Sequence, residues 1–329
     1  MLSSMVNAGI RDVGVIMQRD YQSLLDHLGS GKDWDLSRSG GGLRLLPPFG
    51  MPDSFGVYNG SMEALTSVSS HIERIQQDTI VIAQGDIVAN VNLSAAIERH
   101  EDSGAEITAV CSRFQPSGAH NRFVPGADGF AGTLLARQRG DGPGIATMEI
   151  YIINKATLQD LMAYCAAGNR LHFHRDALMY YLAKGGRVNI YEHGGYAAQI
   201  TSVSDYFKVS MDMFDPMVRE QIFPEEFPIR TKERADVSTY YGESSRSVGS
   251  LIADGCFVEG DVENCILFRG VRIERGAKLK NCVIMQDTVV KENANLSYII
   301  CDKNVTVSAG AMLAGNERLQ LTIPKGAAV

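Results

Sequence analysis

The chain has 329 residues, of which 45 % are hydrophobic and 21 % charged, a composition that excludes wholesale disorder and a disulfide miniprotein and suggests two domains. Its 31 Lys and Arg against 38 Asp and Glu leave a net charge of -7, which repels phosphate backbones and anionic lipid, so neither nucleic acid nor membrane is an expected partner. No run approaches the ~20 apolar residues that cross a bilayer, Met1-Leu2-Ser3-Ser4-Met5 lacks signal-peptide features, and a cytoplasmic location is expected.

Apolar runs of strand length occur at 13–17, 79–83, 107–110 and 148–153, and segments with helical spacing at 61–75, 93–100, 156–165 and 176–182 lie between or after them. The alternation predicts an α/β domain with a mostly parallel sheet covered on both faces. Ser39-Gly40-Gly41-Gly42 with Pro47-Pro48, and Gly140-Asp141-Gly142-Pro143-Gly144, read as surface loops that either border a site or simply connect elements. Further on, Pro216, Pro224 and Pro228 punctuate a charged stretch in which Arg230, Lys232 and Arg234 read as a solvated run.

The texture changes again near Ser247. Turn residues recur at Asp254-Gly255 and Gly260, at Arg269-Gly270 and Arg275-Gly276, at Asp287 and Asn293, and at Lys303-Asn304 and Gly310. Asn264-Cys265-Ile266-Leu267 recurs as Asn281-Cys282-Val283-Ile284. A hexapeptide rhythm with one coil per ~18 residues predicts a parallel β-helix, whose coils share an apolar column only by stacking. The expected division is an α/β domain over 1–235, a linker over 236–246 and the β-helix over 247–329. Cys265 and Cys282 share a repeat position, with Cys301 close to it in the next coil. The six cysteines contain no CxxC pair and read as buried thiols rather than zinc ligands.

An α/β front followed by a hexapeptide β-helix leaves both nucleotidyl and acyl transfer open. Acyltransferases of this build usually place a catalytic histidine on the β-helix, and none follows His193. Specific residues narrow the choice. Asn7-Ala8-Gly9-Ile10-Arg11-Asp12-Val13-Gly14-Val15, Leu45-Leu46-Pro47-Pro48, Ile82-Ala83-Gln84-Gly85-Asp86, Gly195-Tyr196 and the stretch 258–273 resemble the glucose-1-phosphate adenylyltransferase (ADP-glucose pyrophosphorylase) family over essentially the whole chain. The resemblance is nearest to the non-catalytic, regulatory D-type subunit of bacterial glycogen synthesis. It implies a Rossmann-like nucleotidyltransferase sheet and a β-helix of left-handed sense.

What the resemblance implies chemically is adenylyl transfer from ATP to a sugar phosphate. Such a step needs a Gly-rich triphosphate cradle, two carboxylates for Mg²⁺ and a lysine on the sugar phosphate. The cradle belongs to a segment that would precede Met1, so an amino-terminal fragment or early-truncated chain is expected, with the family's first strand missing between 13–17 and 79–83. The first metal carboxylate matches Asp86, followed by Ile87 in place of histidine. Asp86 either still holds a metal or phosphate or is an acid left at a strand end.

The second metal carboxylate matches Gln199, a neutral amide that cannot supply the missing charge. Upstream of Thr147-Met148-Glu149-Ile150-Tyr151 the stretch 136–140 has no Glu-Lys-Pro motif. Glu149 stands for a family glycine, adding charge where a phosphate would rest. Gly60-Ser61-Met62-Glu63-Ala64 carries a bulky Met62. His172-Phe173-His174-Arg175-Asp176 aligns with Asp-Phe-Gly-Lys-Asp, a helix opening, in preference to an acid–base pair.

The expected role is therefore a regulatory, catalytically deficient subunit, with an active glucose-1-phosphate adenylyltransferase as the alternative. No metal or other cofactor is expected for this chain alone, Mg²⁺ belonging to a catalytic partner in a hetero-tetramer. Gln18 and Trp34 match positions near the nucleotide loop, although packing between loop and sheet is the favoured role of Trp34. Lys303, with Arg11 as a second candidate, matches positions for an anionic allosteric effector, or is a solvated corner lysine.

Overall fold

The computed structural model describes residues 1–18, 20–38, 40–48, 57–113, 118–138, 140 and 142–329. Ser39, Arg139 and Asp141 of the loops and motif named above lie outside them. The chain forms two compact units, one of Met1–Gln199 with Gln221–Lys232 and one of Ile200–Glu220 with Glu233–Val329. No helix among the described residues is long and apolar enough to cross a membrane.

Among the described residues the first unit carries ten strands: β1 (Asp12–Ile16), β2 (Gly42–Leu46), β3 (Thr79–Ala83), β4 (Ile87–Ala89), β5 (Ile107–Ser112), β6 (His120–Pro125), β7 (Ala131–Gln138), β8 (Ile145–Asn154), β9 (Val188–Glu192) and β10 (Ala197–Gln199). Its main sheet is built on β8, with β3, β5 and β6 each hydrogen-bonded to it. Alternate residues of β8 serve the two faces. Tyr151 and Ile153 pack with Ile107, Leu158 and Phe173 on one side, and Ile150 and Ile152 with Val91, Leu93 and Ala96 on the other. Burial on both sides is why β8 reads as a continuous apolar run.

The expected parallel order is not what forms. β8 runs antiparallel to β3, β5 and β6, and β5 with β9 is the parallel pair of this sheet. The hairpin of β6 and β7 intervenes between β5 and β8, and doubly buried apolar runs look alike in either direction. β1 pairs in parallel with β2 in a sheet of its own. The expected helix at 61–75 forms as two, Ser61–Ser67 and Ser69–Arg74. Gly60 cannot carry a side chain, because a Cβ there would lie 2.0 Å from the Leu171 carbonyl oxygen.

The segment 173–182 opens as a π-helical turn, Phe173–Leu178, and continues as Met179–Ala183. Asp176 fastens its start by accepting hydrogen bonds from the Leu171 and His172 amides at 3.0 and 2.9 Å. The neighbouring Arg175 guanidinium, aided by these amides, holds the Asp176 carboxyl down at about 2.

In the second unit three parallel five-stranded sheets wind into a β-helix. Val262, Leu279, Leu296 and Leu313 stand in register, as do Val258, Ile273, Val290 and Val307, and these columns fill the interior. The corners need left-handed backbone, which Gly255, Gly270, Gly276 and Gly310 adopt freely and Asn264, Asn281, Asp287, Asn293 and Asn304 tolerate. Cys265 and Cys282 are buried in register, whereas Ile299 holds that position in the next coil and Cys301 pairs with Ile284.

The boundaries differ from the division at 235 and 247. Tyr240–Tyr241 pairs with Phe257–Val258, so the first coil begins inside the expected linker. The helix Val203–Asp212 belongs with the coils, because Phe207 packs on Val283 and Ile300. Lys232 and Arg234 are exposed yet bonded, Lys232 to the Asp26 carbonyl and Arg234 to Asp236 and Asp287.

Because the Asp176 carboxyl is depressed from 3.8 to about 2, its contribution is complete above 3.8 and fades as pH falls through about 2. Asp176→Ala should cost about 1 kcal/mol near neutral pH, the usual loss when a capping side chain is removed. Urea unfolding of both proteins down the acid limb should show that difference shrinking across this interval.

Candidate functional site

The turn Gln84–Gly85–Asp86 leaves the end of β3, and β4 follows at once. β4 pairs antiparallel with β10, placing Gln199 opposite Ile87 and hence beside Asp86. Gln199 Nε2 donates to Asp86 Oδ2 at 2.9 Å. The reverse amide orientation would set a carbonyl oxygen against a carboxylate oxygen, so repulsion fixes which end faces Asp86. Asp86 Oδ1 is buried with no hydrogen-bond partner. An orphaned carboxylate oxygen suits a cation, but a cation here would meet one carboxylate and the positive end of an amide.

These residues do not fit the two-carboxylate Mg²⁺ site that the family resemblance implies. Among the described residues, no group of three or more His, Cys, Asp or Glu is placed to hold a metal ion. The pairing of β4 with β10 brings Asp86 and Gln199 together. A hydrogen bond replaces the ion's attraction.

A second cluster shares the same turn. Against β5, the register of β8 shifts between Ile150 and Thr147, leaving Met148 and Glu149 in a bulge. Glu149 adopts φ +57, a conformation that costs a residue with a side chain about 1–2 kcal/mol. That is the physical reason a glycine suits this position. Glu149 is nevertheless only 7 % exposed, and its carboxylate is fully engaged. Asn121 Nδ2 donates to Oε1 at 2.9 Å, Gln84 Nε2 to Oε2 at 3.2 Å, and His174 Nε2 lies 3.0 Å from Oε2.

His174 Nε2 also lies 2.6 Å from the Tyr151 hydroxyl, which meets Thr147 Oγ1 at 2.9 Å. Both His174 contacts fall on one ring nitrogen, so the arrangement is not a carboxylate–histidine–hydroxyl relay. Burial, with the Glu149 charge adding to it, lifts the Tyr151 phenol well above its ordinary range and keeps it protonated.

Other candidates fall elsewhere. Gln18 is exposed just beyond β1. Trp34, 5 % exposed, packs with Val6, Val13, Leu28 and Leu36 and meets the His27 ring edge-on. Arg11 is exposed before β1, and its carbonyl accepts from the Gly42 amide. Lys303, in the other unit, is half-buried on a coil corner, its amide bonded to Asp302 Oδ1 at 2.7 Å. Met62 is fully buried in the core, so its bulk fills the interior and not the pocket.

Sequence reasoning missed Asn121, Gln84 and His174 as partners of Glu149. The signal was present in part, since both Glu149 and His174 stand where the family pattern has glycine.

Residues 1–123 match the nucleotidyl transferase family and residues 236–320 the GlmU-like C-terminal hexapeptide family. The chain is 34 % identical to the glycogen biosynthesis protein GlgD of Bacillus subtilis (strain 168), over 99 % of the chain and 85 % of that protein. It is 33 % identical to GlgD of Geobacillus stearothermophilus over 84 % of the chain and 71 % of the relative. It is 24 % identical to the glucose-1-phosphate adenylyltransferase of Acetivibrio thermocellus over 97 % of the chain and 76 % of that enzyme.

Gln199→Asp would restore a second carboxylate beside Asp86. In metal-free buffer the variant should melt below the parent, because two anions then adjoin. Added Mg²⁺ should raise its midpoint and leave the parent's unchanged, the gain being about 2.7 kcal/mol at a hundredfold excess over the dissociation constant. Thermal scans with and without Mg²⁺ read this directly.

Proposed function

The chain belongs to the glucose-1-phosphate adenylyltransferase family, in the group of the glycogen biosynthesis protein GlgD, and we propose that it is a regulatory, catalytically deficient subunit acting in glycogen synthesis. The single observation that carries the deficiency is the Gln199 amide on Asp86. Transfer of an adenylyl group requires charge neutralisation at the triphosphate, and removal of one such electrostatic group costs roughly 10²–10³ in rate. The Glu149 carboxylate adds a fixed negative charge beside the same turn, which disfavours a second anion.

With turnover set aside, what remains is a two-unit fold offered to another subunit. Its coupling to that partner would be a free energy, about 1–3 kcal/mol or roughly 5- to 150-fold in affinity. The partner in this reading is a catalytic glucose-1-phosphate adenylyltransferase subunit carrying the Mg²⁺, the assembly is a hetero-tetramer, and the compartment is the cytoplasm. An anionic effector would use Lys303 or Arg11, each testable by its own alanine substitution.

Co-expression with a catalytic subunit, followed by size exclusion with light scattering and a pyrophosphate-release assay, tests this. The two chains should co-elute, and the partner's kcat/KM or effector response should change relative to the partner alone. Separate elution with unaltered kinetics would overturn the proposal.

A further inference from the structure

The side chains around Glu149 are arranged for a ligand more than for a protein carboxylate. Two amide donors, Asn121 Nδ2 and Gln84 Nε2, and the His174 Nε2 ring nitrogen converge within 2.9–3.2 Å of its two oxygens. Asn121 and His174 are also held by contacts other than Glu149's carboxylate, and the Gln84 backbone is held beside it. Asn121 Oδ1 accepts from the Arg137 amide at 3.1 Å, which turns its NH₂ group inward. Gln84 is anchored by its own amide on the Glu149 carbonyl at 3.1 Å, and His174 rests against Tyr151.

The carboxylate itself arrives by a strained route, from a left-handed backbone in the middle of a strand. Backbone of that kind persists only where the surroundings over-determine it. Gln84 is exposed, so one lip of the cluster faces solvent while Glu149 is buried.

We propose that Asn121, Gln84 and His174 form a preassembled oxyanion nest that the chain fills with its own Glu149 carboxylate, an internal ligand standing where an external carboxylate or phosphate would otherwise bind. The nest presents two neutral amides and one imidazole. An external anion must displace Glu149, so the parent protein should ignore such anions. The proposal rests on the reading that this pocket has ceased to turn over substrate. Its test uses no partner subunit, so its failure and the failure of the subunit reading are separable.

Glu149→Gly removes the internal carboxylate and gives the backbone the residue its φ favours. Formate and inorganic phosphate are the two probes, with potassium chloride at matched ionic strength as control. Thermal scans of the variant should rise by several degrees with one or both probes and not with chloride, while the parent does not respond. A larger rise with formate marks the nest as a carboxylate site, and a larger rise with phosphate marks it as a phosphate site. The added substitution Asn121→Ala should abolish the response.

Should the variant not fold in plain buffer, purification in formate decides, recovery of folded protein supporting the nest and continued failure contradicting it. Equal behaviour of folded Glu149→Gly in formate, phosphate and chloride would reduce the cluster to ordinary satisfied packing and overturn the proposal.

Discussion

One hydrogen bond, from the Gln199 amide to Asp86, decides what this molecule can do with charge. The backbone pairing of β4 with β10 brings the two residues together whatever their chemistry, so the frame of a two-carboxylate site survives intact. A carboxylate at 199 would make the pair repel until a divalent ion joined it. An amide there makes the pair attractive with no ion at all, and the hydrogen bond takes over the role the ion would have played. The same register that could assemble a metal site therefore stabilises its replacement.

Glu149 makes a parallel case by a different route. Its left-handed backbone costs about 1–2 kcal/mol, whereas each hydrogen bond to a charged group returns roughly 1.5–3 kcal/mol. With two amide donors and the His174 ring nitrogen on the carboxylate, the contacts outweigh the strain, and the side chain stays where it is. Two polar residues at positions where the family pattern has glycine thus support each other, since His174 is one of the groups against Glu149. Both clusters meet the turn that ends β3, through Gln84 and Asp86, which makes them one region and not two separate losses.

The sequence was most legible where its pattern repeats. Every coil of the β-helix reuses an inward apolar position and a left-handed corner, so Leu279 and Leu296 or Gly276 and Asn293 announce the same place twice. Strands β3, β5 and β8 were visible as apolar runs, but not their directions, because a strand buried on both faces carries no record of its neighbours' orientation. The hairpin of β6 and β7 escaped notice since its strands mix polar residues such as Asn121, Arg122 and Gln138 with apolar ones. Asp86 and Gln199 were readable as a pair by resemblance to the family. The hydrogen bond between them, and the convergence of Asn121, Gln84 and His174 on Glu149, depend on side-chain geometry that residue identity alone does not contain.

The central claim is that Gln199 has replaced the ion at Asp86. Titration of the purified chain with Mn²⁺, followed by electron paramagnetic resonance, tests it most directly. The account predicts that the signal of free Mn²⁺ grows from the first addition, with no saturable site in the micromolar range. Stoichiometric micromolar binding that Asp86→Asn abolishes would contradict it.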